Sequence, residues 1–276
     1  MKRTAITKFT VAEEVSSIPV RVYINVAVMG HVNDVLQQQL ELLHDSGLYL
    51  RSSAITLLVN GDASLLKINI ADPANKIYIS NLITDINSYE FPALHQLWVD
   101  ASESDFAVLY LHTKGVSKPN QRSVKDWVNY LLYFNVEDWR NRLKELLVYD
   151  CTGVNLRGSA SNPVEHPENW FIEGSPLHYS GNFWWARSVY IRQLPDPYLF
   201  QTDSEQMLRY YCEMWLLQQH GSFHCAWYSG VLHHKEEPYP PFLYRKGYLN
   251  QFLRMIIGKP FRVYIQLLRS VRKYNQ

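Results

Sequence analysis

Three short segments carry apolar side chains on both of their alternating faces, and a strand of that kind is stable only when both faces are covered. They are Arg21 to Val28 (RVYINVAV), Ile55 to Val59 (ITLLV) and Phe106 to Leu111 (FAVLYL). After the first, Val32, Val35, Leu36, Leu40 and Leu43 recur at helical spacing, with Gly30 ahead of them and Gly47 as a stop. Lys76 to Ser80 reads as a further short strand and Pro92 to Ala101 as a helix. Strands alternating with helices at this spacing predict an α/β fold, a mainly parallel sheet flanked by helices. Such sheets bind ligands at the carboxyl ends of their strands, so the loops after Val28, Val59 and Leu111 are the ones to read for chemistry.

Farther along, residues 124–148 read as one long helical segment carrying Trp127, Leu131, Phe134, Trp139, Leu143 and Leu147. Asp150 to Leu156 looks like a strand, and 157–177 is polar and rich in proline. A helix is expected from Ser204 to His220, with Asp203 as cap, Gln206 three residues on and Gly221 as terminator. The 276 residues suit one large domain over 1–244 and a tail over 245–276. That tail holds eight Lys or Arg and no acid, although the whole chain carries a formal charge of only +1. Phe261, Tyr264, Ile265, Leu268 and Val271 fall on one helical face there, with Arg262, Gln266, Arg269 and Lys273 opposite, which is the pattern of a basic amphipathic helix on an anionic membrane surface. A helix docked on the protein's own core has the same pattern.

Cys151, Cys212 and Cys225 are odd in number and lack C-x-x-C spacing, which argues against a disulfide framework and for a reducing compartment. The N-terminus has no signal-peptide stretch, and no window is long enough to span a bilayer. The expected location is cytoplasmic, with the tail allowing peripheral attachment to the inner face of the membrane. Basic residues are not spread over the main domain, which excludes nucleic acid as the expected partner.

Four constellations carry chemistry. In LYLHTKGVSKPNQRSVK, a buried strand delivers Lys114, Lys118, Arg122 and Lys125 with no acid between His112 and Lys125, and Gly115 gives the loop freedom; this suits a diphosphate. In His178-Tyr179-Ser180-Gly181-Asn182, followed by Phe183-Trp184-Trp185, Gly allows close backbone approach and Asn offers a donor and an acceptor to sugar hydroxyls. Trp184 and Trp185 point to opposite sides of an extended segment, so one at most faces a ligand. Aromatics make up 14% of the chain, and planar rings suit sugars as well as cores. Glu213 is a lone carboxylate in an apolar helix, which is costly unless it is paired, with Arg209 four residues earlier, or functional. His233 and His234 are adjacent and are candidate metal ligands.

The order Ser180-Gly181-Asn182-Phe183-Trp184-Trp185-Ala186-Arg187, then Leu194, then Glu213 and Trp215-Leu216 resembles the acceptor half of GT-A glycosyltransferases. Together with Tyr110-Leu111-His112-Thr113-Lys114-Gly115 it also looks like bacterial glycosyltransferases of capsule and O-antigen loci, over roughly residues 20–235. The resemblance implies a GT-A (Rossmann-like) sheet and sugar transfer from a nucleotide-sugar donor to a glycan or lipid-linked glycan acceptor. It implies a donor site at Gly30, Asn60, Gly61 and Gly115, and a diphosphate held by Lys114 with help from His112. It further implies an acceptor or sugar pocket at His178, Gly181, Asn182 and Trp184 or Trp185, and Glu213 as the base. GT-A enzymes commonly hold Mn2+ or Mg2+ on an Asp-x-Asp motif, but here that place reads His112-Thr113-Lys114, and a charged Lys cannot ligate a metal. Two other readings remain: a non-catalytic module that binds nucleotide sugars or carbohydrate, and a metal-dependent hydrolase built on His112, His178, His233 and His234.

Overall fold

The computed structural model describes residues 17–83, 85–118, 120–158, 176–200, 205–233 and 237–245. His234 and the amphipathic stretch of the tail lie outside the described residues, as does Asp203. Seven strands form one sheet in the order β3-β2-β1-β4-β8-β5-β9: β1 (Val20–Ala27), β2 (Ala54–Asn60), β3 (Ile77–Ile83), β4 (Ala107–His112), β5 (Cys151–Val154), β8 (Trp184–Arg187) and β9 (Phe223–Trp227). All pairings are parallel except those of β8, which runs antiparallel to both β4 and β5. A small ribbon of β6 (Leu156–Arg157) and β7 (His178–Tyr179) stands beside this sheet. The result is a Rossmann-like α/β fold with a mostly parallel sheet flanked by helices, the class expected from the alternating pattern.

Both faces are covered, and the two parities of each strand feed separate cores. Val22, Ile24 and Val26 of β1, Leu109 and Leu111 of β4 and Trp185 of β8 pack on α1 (Val32–Asp45) and α3 (Arg122–Leu132). Tyr23, Val108, Tyr110 and Trp184 pack on α2 (Phe91–Glu103) and its neighbours. Helix α1 buries Val32, Leu36, Leu40 and Leu43 and ends before Gly47, which takes φ +77°, a conformation open to Gly at no steric cost. Pro92 sits in the first turn of α2, where its missing N–H is no loss.

Residues 124–148 do not form the single helix expected. Helix α3 passes into a π-turn, Tyr133–Glu137, before α4 (Trp139–Glu145). The wider turn leaves the Asn135 carbonyl to accept the Trp185 indole N–H at 2.9 Å, while the Asn135 side chain donates to the Leu131 carbonyl at 2.9 Å. The second long helix is also shorter than expected: α5 spans Glu205–Met214 and tightens into a 3₁₀ turn, Trp215–Leu217. No helix among the described residues is long and apolar enough to cross a membrane.

Candidate functional site

A cleft of about 730 Å³ lies at the carboxyl end of the sheet. Its walls include Lys114, Lys118, Arg157 and Arg209 with Glu213, along with Trp127, His178, Ser180 and His233. Lys114 and Glu213 therefore face one space. A second hollow of about 440 Å³ lies between α1 and α3 and shares Lys114, Gly115 and Lys118 with the first.

Lys114 leaves the tip of β4 and is 8% exposed. Its ammonium sits 3.8 Å from the centre of the Trp127 ring, a cation–π contact. Trp127 stacks on His233, and His233 stacks on Tyr130, so the cation rests on an aromatic wall. Burial lowers the Lys114 pKa; the nearby carboxylates Glu213 and Glu90 oppose that shift and Arg209 adds to it. No carboxylate lies within ion-pair distance of the Lys114 ammonium among the described residues. Arg209 is exposed and forms no such contact with Glu213, so the helix salt bridge does not account for that acid.

Near Lys114, three hydrogen bonds and one ring stack join Glu90, Tyr110, Asn182 and Trp184. Glu90 Oε2 accepts from the Tyr110 hydroxyl at 2.8 Å and from Asn182 Nδ2 at 2.9 Å. Asn182 Oδ1 accepts from Trp184 Nε1 at 2.8 Å, and Trp184 stacks on Tyr110 with ring centres 4.8 Å apart. The His112 ring lies alongside: its Nε2 donates to the Gly181 carbonyl at 3.0 Å and its Nδ1 is 3.9 Å from Glu90 Oε1. Burial first, and Lys114 next, lower the His112 pKa to about 3, so the imidazole is neutral. Burial raises Glu90 to about 7, its two hydrogen bonds working against the shift and the Glu213 charge working with it.

These positions revise several sequence assignments. Trp184 and Trp185 are 1% and 0% exposed and fill the two cores; neither lines the cleft, because β8 is an interior strand with both faces covered. Asn182 is buried at φ +55° and holds Glu90 and Trp184 instead of reaching into the cleft. Gly181 takes φ +102°, and a Cβ there would lie 2.8 Å from Leu131, so this glycine serves packing. In the loops after β1 and β2, a Cβ on Gly30 would collide with the Val116 carbonyl and one on Gly61 would lie 2.9 Å from Val28. The Asn60 side chain donates to the Tyr89 carbonyl and to Asn25 Oδ1. Those three residues close loops against the sheet, and none lines either hollow. Gly115 lines both.

His178 lines the cleft, its Nδ1 donating to the Pro176 carbonyl at 2.8 Å. His233 Nε2 is 2.9 Å from the Ser229 hydroxyl, within the stack of Trp127 and Tyr130. Among the described residues no three His, Cys, Asp or Glu gather as a metal would need, and the place of the metal-binding motif holds a buried ammonium.

Glu90 and Arg157 are not among the residues singled out from the sequence. Glu90 had one signal: an acid at the start of a helix that follows a parallel strand falls on the ligand-binding side of the sheet. Arg157 is carried by the β6–β7 ribbon, which has too few residues for any period to show.

Residues 20–237 match a family described as a domain of unknown function (DUF8361). The chain belongs to that family. The DUF8361 match takes in Glu90, His112, Lys114, Gly181, Asn182 and Glu213. No curated protein matches the chain. Among solved structures, 4-diphosphocytidyl-2C-methyl-D-erythritol synthase from Anaerococcus prevotii is similar at 11% identity and a TM-score of 0.39, over 76% of this chain and 89% of that one, too distant to bear on function.

Proposed function

We propose that this DUF8361 chain is a glycosyltransferase of the GT-A type that moves a sugar from a nucleotide-sugar donor to a glycan or lipid-linked glycan hydroxyl. The observation that carries the reading is the composition of the cleft: among the described residues it has four cations and one carboxylate, Glu213, which faces the same space as the buried Lys114. A pocket with that balance favours a polyanion, and a diphosphate is the polyanion that also needs a single cation at its leaving oxygen. Trp127 offers an apolar edge and His178 an imidazole ring to a sugar.

The chemistry follows as one displacement. The acceptor hydroxyl oxygen attacks the anomeric carbon and forms the new glycosidic bond, while the bond from that carbon to the diphosphate oxygen breaks. The hydroxyl proton passes to Glu213, and the charge that appears on the diphosphate is met by Lys114. A single base suffices for this, so the reaction inverts the anomeric centre. Lys114 stands where a divalent ion would otherwise act, and turnover is expected without added Mn2+ or Mg2+. The basic tail is the proposed contact with an anionic membrane face, where a lipid-linked acceptor of capsule or O-antigen type is held.

Glu213→Gln tests the assignment. A positioned base contributes about 10²–10⁴-fold, so turnover should fall by that order while donor binding, followed by thermal shift across a panel of nucleotide sugars with and without Mn2+, stays. Full activity in this variant removes Glu213 from the mechanism. Binding by the wild type without turnover on any acceptor favours a non-catalytic binding module.

A further inference from the structure

Glu90 belongs to neither motif that the sequence singles out, yet it joins them. One oxygen, Oε2, accepts from Tyr110 of β4 and from Asn182 of the Gly181-Asn182 turn. The other, Oε1, faces His112 Nδ1. His112 Nε2 donates to a carbonyl, which puts the ring proton on Nε2 and leaves a lone pair on Nδ1. An anionic oxygen facing a lone pair is repulsive; a protonated one facing it is attractive. Among the described residues, the groups that face Glu90 are Tyr110, His112 and Lys114 from β4 and its loop, and Cys212 and Glu213 from α5; the turn brings Asn182, which is uncharged. Of these Lys114 is the cation, and Glu213 is a second acid whose charge reaches that ammonium without forming an ion pair with it.

We propose that Glu90 is a positioning residue of the donor site: bearing a proton, it holds the Asn182 turn and leaves the Lys114 ammonium to the donor diphosphate, and once ionised it competes with that diphosphate. The inference rests on the reading of the cleft as a donor site. Its direction is fixed by charge. With Glu90 neutral, Glu213 is the acid among the described residues whose charge acts on Lys114, whereas an ionised Glu90 adds a buried negative charge beside the place a polyanion must enter. The shift of Glu90 toward 7 puts the change in the physiological range. Donor affinity should therefore weaken as pH rises through neutrality, while the transfer step on bound donor changes little.

Glu90→Gln is the informative variant. Its amide oxygen accepts from Tyr110 and Asn182, and its amide N–H₂ donates toward His112 Nδ1, so it copies the protonated state at every pH. Pyrophosphate binding by calorimetry is the probe, with the variant and the wild type compared at the same pH so that titration of pyrophosphate itself cancels. The two should bind alike at pH 6, and the wild type should bind roughly tenfold more weakly than Glu90→Gln at pH 8.5, one unit of log K for one titrating neighbour. In steady-state assays the difference should fall on KM for the donor and spare kcat. An infrared carbonyl band from a protonated buried carboxyl, present in the wild type at pH 6 and absent from Glu90→Gln, is the independent readout. Parallel pH curves for the two proteins, or absence of that band, overturn the proposal and leave the transferase reading standing. Failure of both proteins to bind pyrophosphate at pH 6 overturns the donor site and the proposal with it.

Discussion

Glu90 and His112 lie within one network, and burial displaces their pKa values in opposite directions. Glu90 is raised from 4.5 to about 7, so the folded protein holds a proton that the unfolded chain releases between those values. Its stabilising contribution is present below about pH 4.5 and is lost as pH rises toward 7. Relative to Glu90→Gln, the wild type should lose up to about 3 kcal/mol of unfolding free energy over that window, from a shift of about 2.5 units. His112 is lowered from 6.5 to about 3, so the unfolded chain takes up the proton first and the wild type loses stability as pH falls below 6.5. His112→Asn should flatten that acid side. Urea unfolding of the three proteins at a series of pH values reads both effects; slopes of the same sign in the two comparisons would contradict the network. Gly181 gives a simpler case. Gly181→Ala must hold φ +102° and push on Leu131, and should lower stability by more than about 1 kcal/mol, measured by thermal melting.

At the scale of elements, β8 decides what the aromatic motif does. Trp185 fills one core and donates to the π-turn, and Trp184 fills the other and holds Asn182. Trp185→Ala should cost about 3–5 kcal/mol. Trp184→Phe should keep the stack on Tyr110 and lose the Asn182 bond, at about 1 kcal/mol, with reduced turnover through the slackened turn. Strands β1, β2 and β4 were legible because both their parities are apolar, and α1 because its buried positions follow the helical period. Strand β9, FHCAW, escaped notice because it is an edge strand, half-buried, with His224 and Cys225 in place of branched apolar residues. The break after α3 was hidden because Tyr133 and Phe134 continue the apolar stripe, and only the demand of Trp185 for an acceptor selects the wider turn. Lys114 was legible as one of four basic residues clustered at the tip of a buried strand, and Glu213 as a lone carboxylate in an apolar helix. Glu90 was not, since its partners are distant in sequence and meet only when the sheet is assembled.

For the whole molecule, the mostly parallel sheet gathers the β4 loop, the start of α2, the β7–β8 turn and α5 at one end, which is why residues from 90 to 213 share a site. The charge balance is also a property of the whole chain: the strongly basic stretch from Arg245 onward offsets an acidic remainder. Full-length protein should float with anionic liposomes and a 1–244 truncation should not; equal flotation would assign membrane contact to the domain or to none.

The inversion of β8 has a further consequence during synthesis. On the ribosome, the exposed edge of β4 cannot be sealed by the next strand to emerge, because its neighbour is Trp184–Arg187, made long after. The nascent N-terminal half must wait with an apolar ladder open, and that interval is when a chaperone would find it.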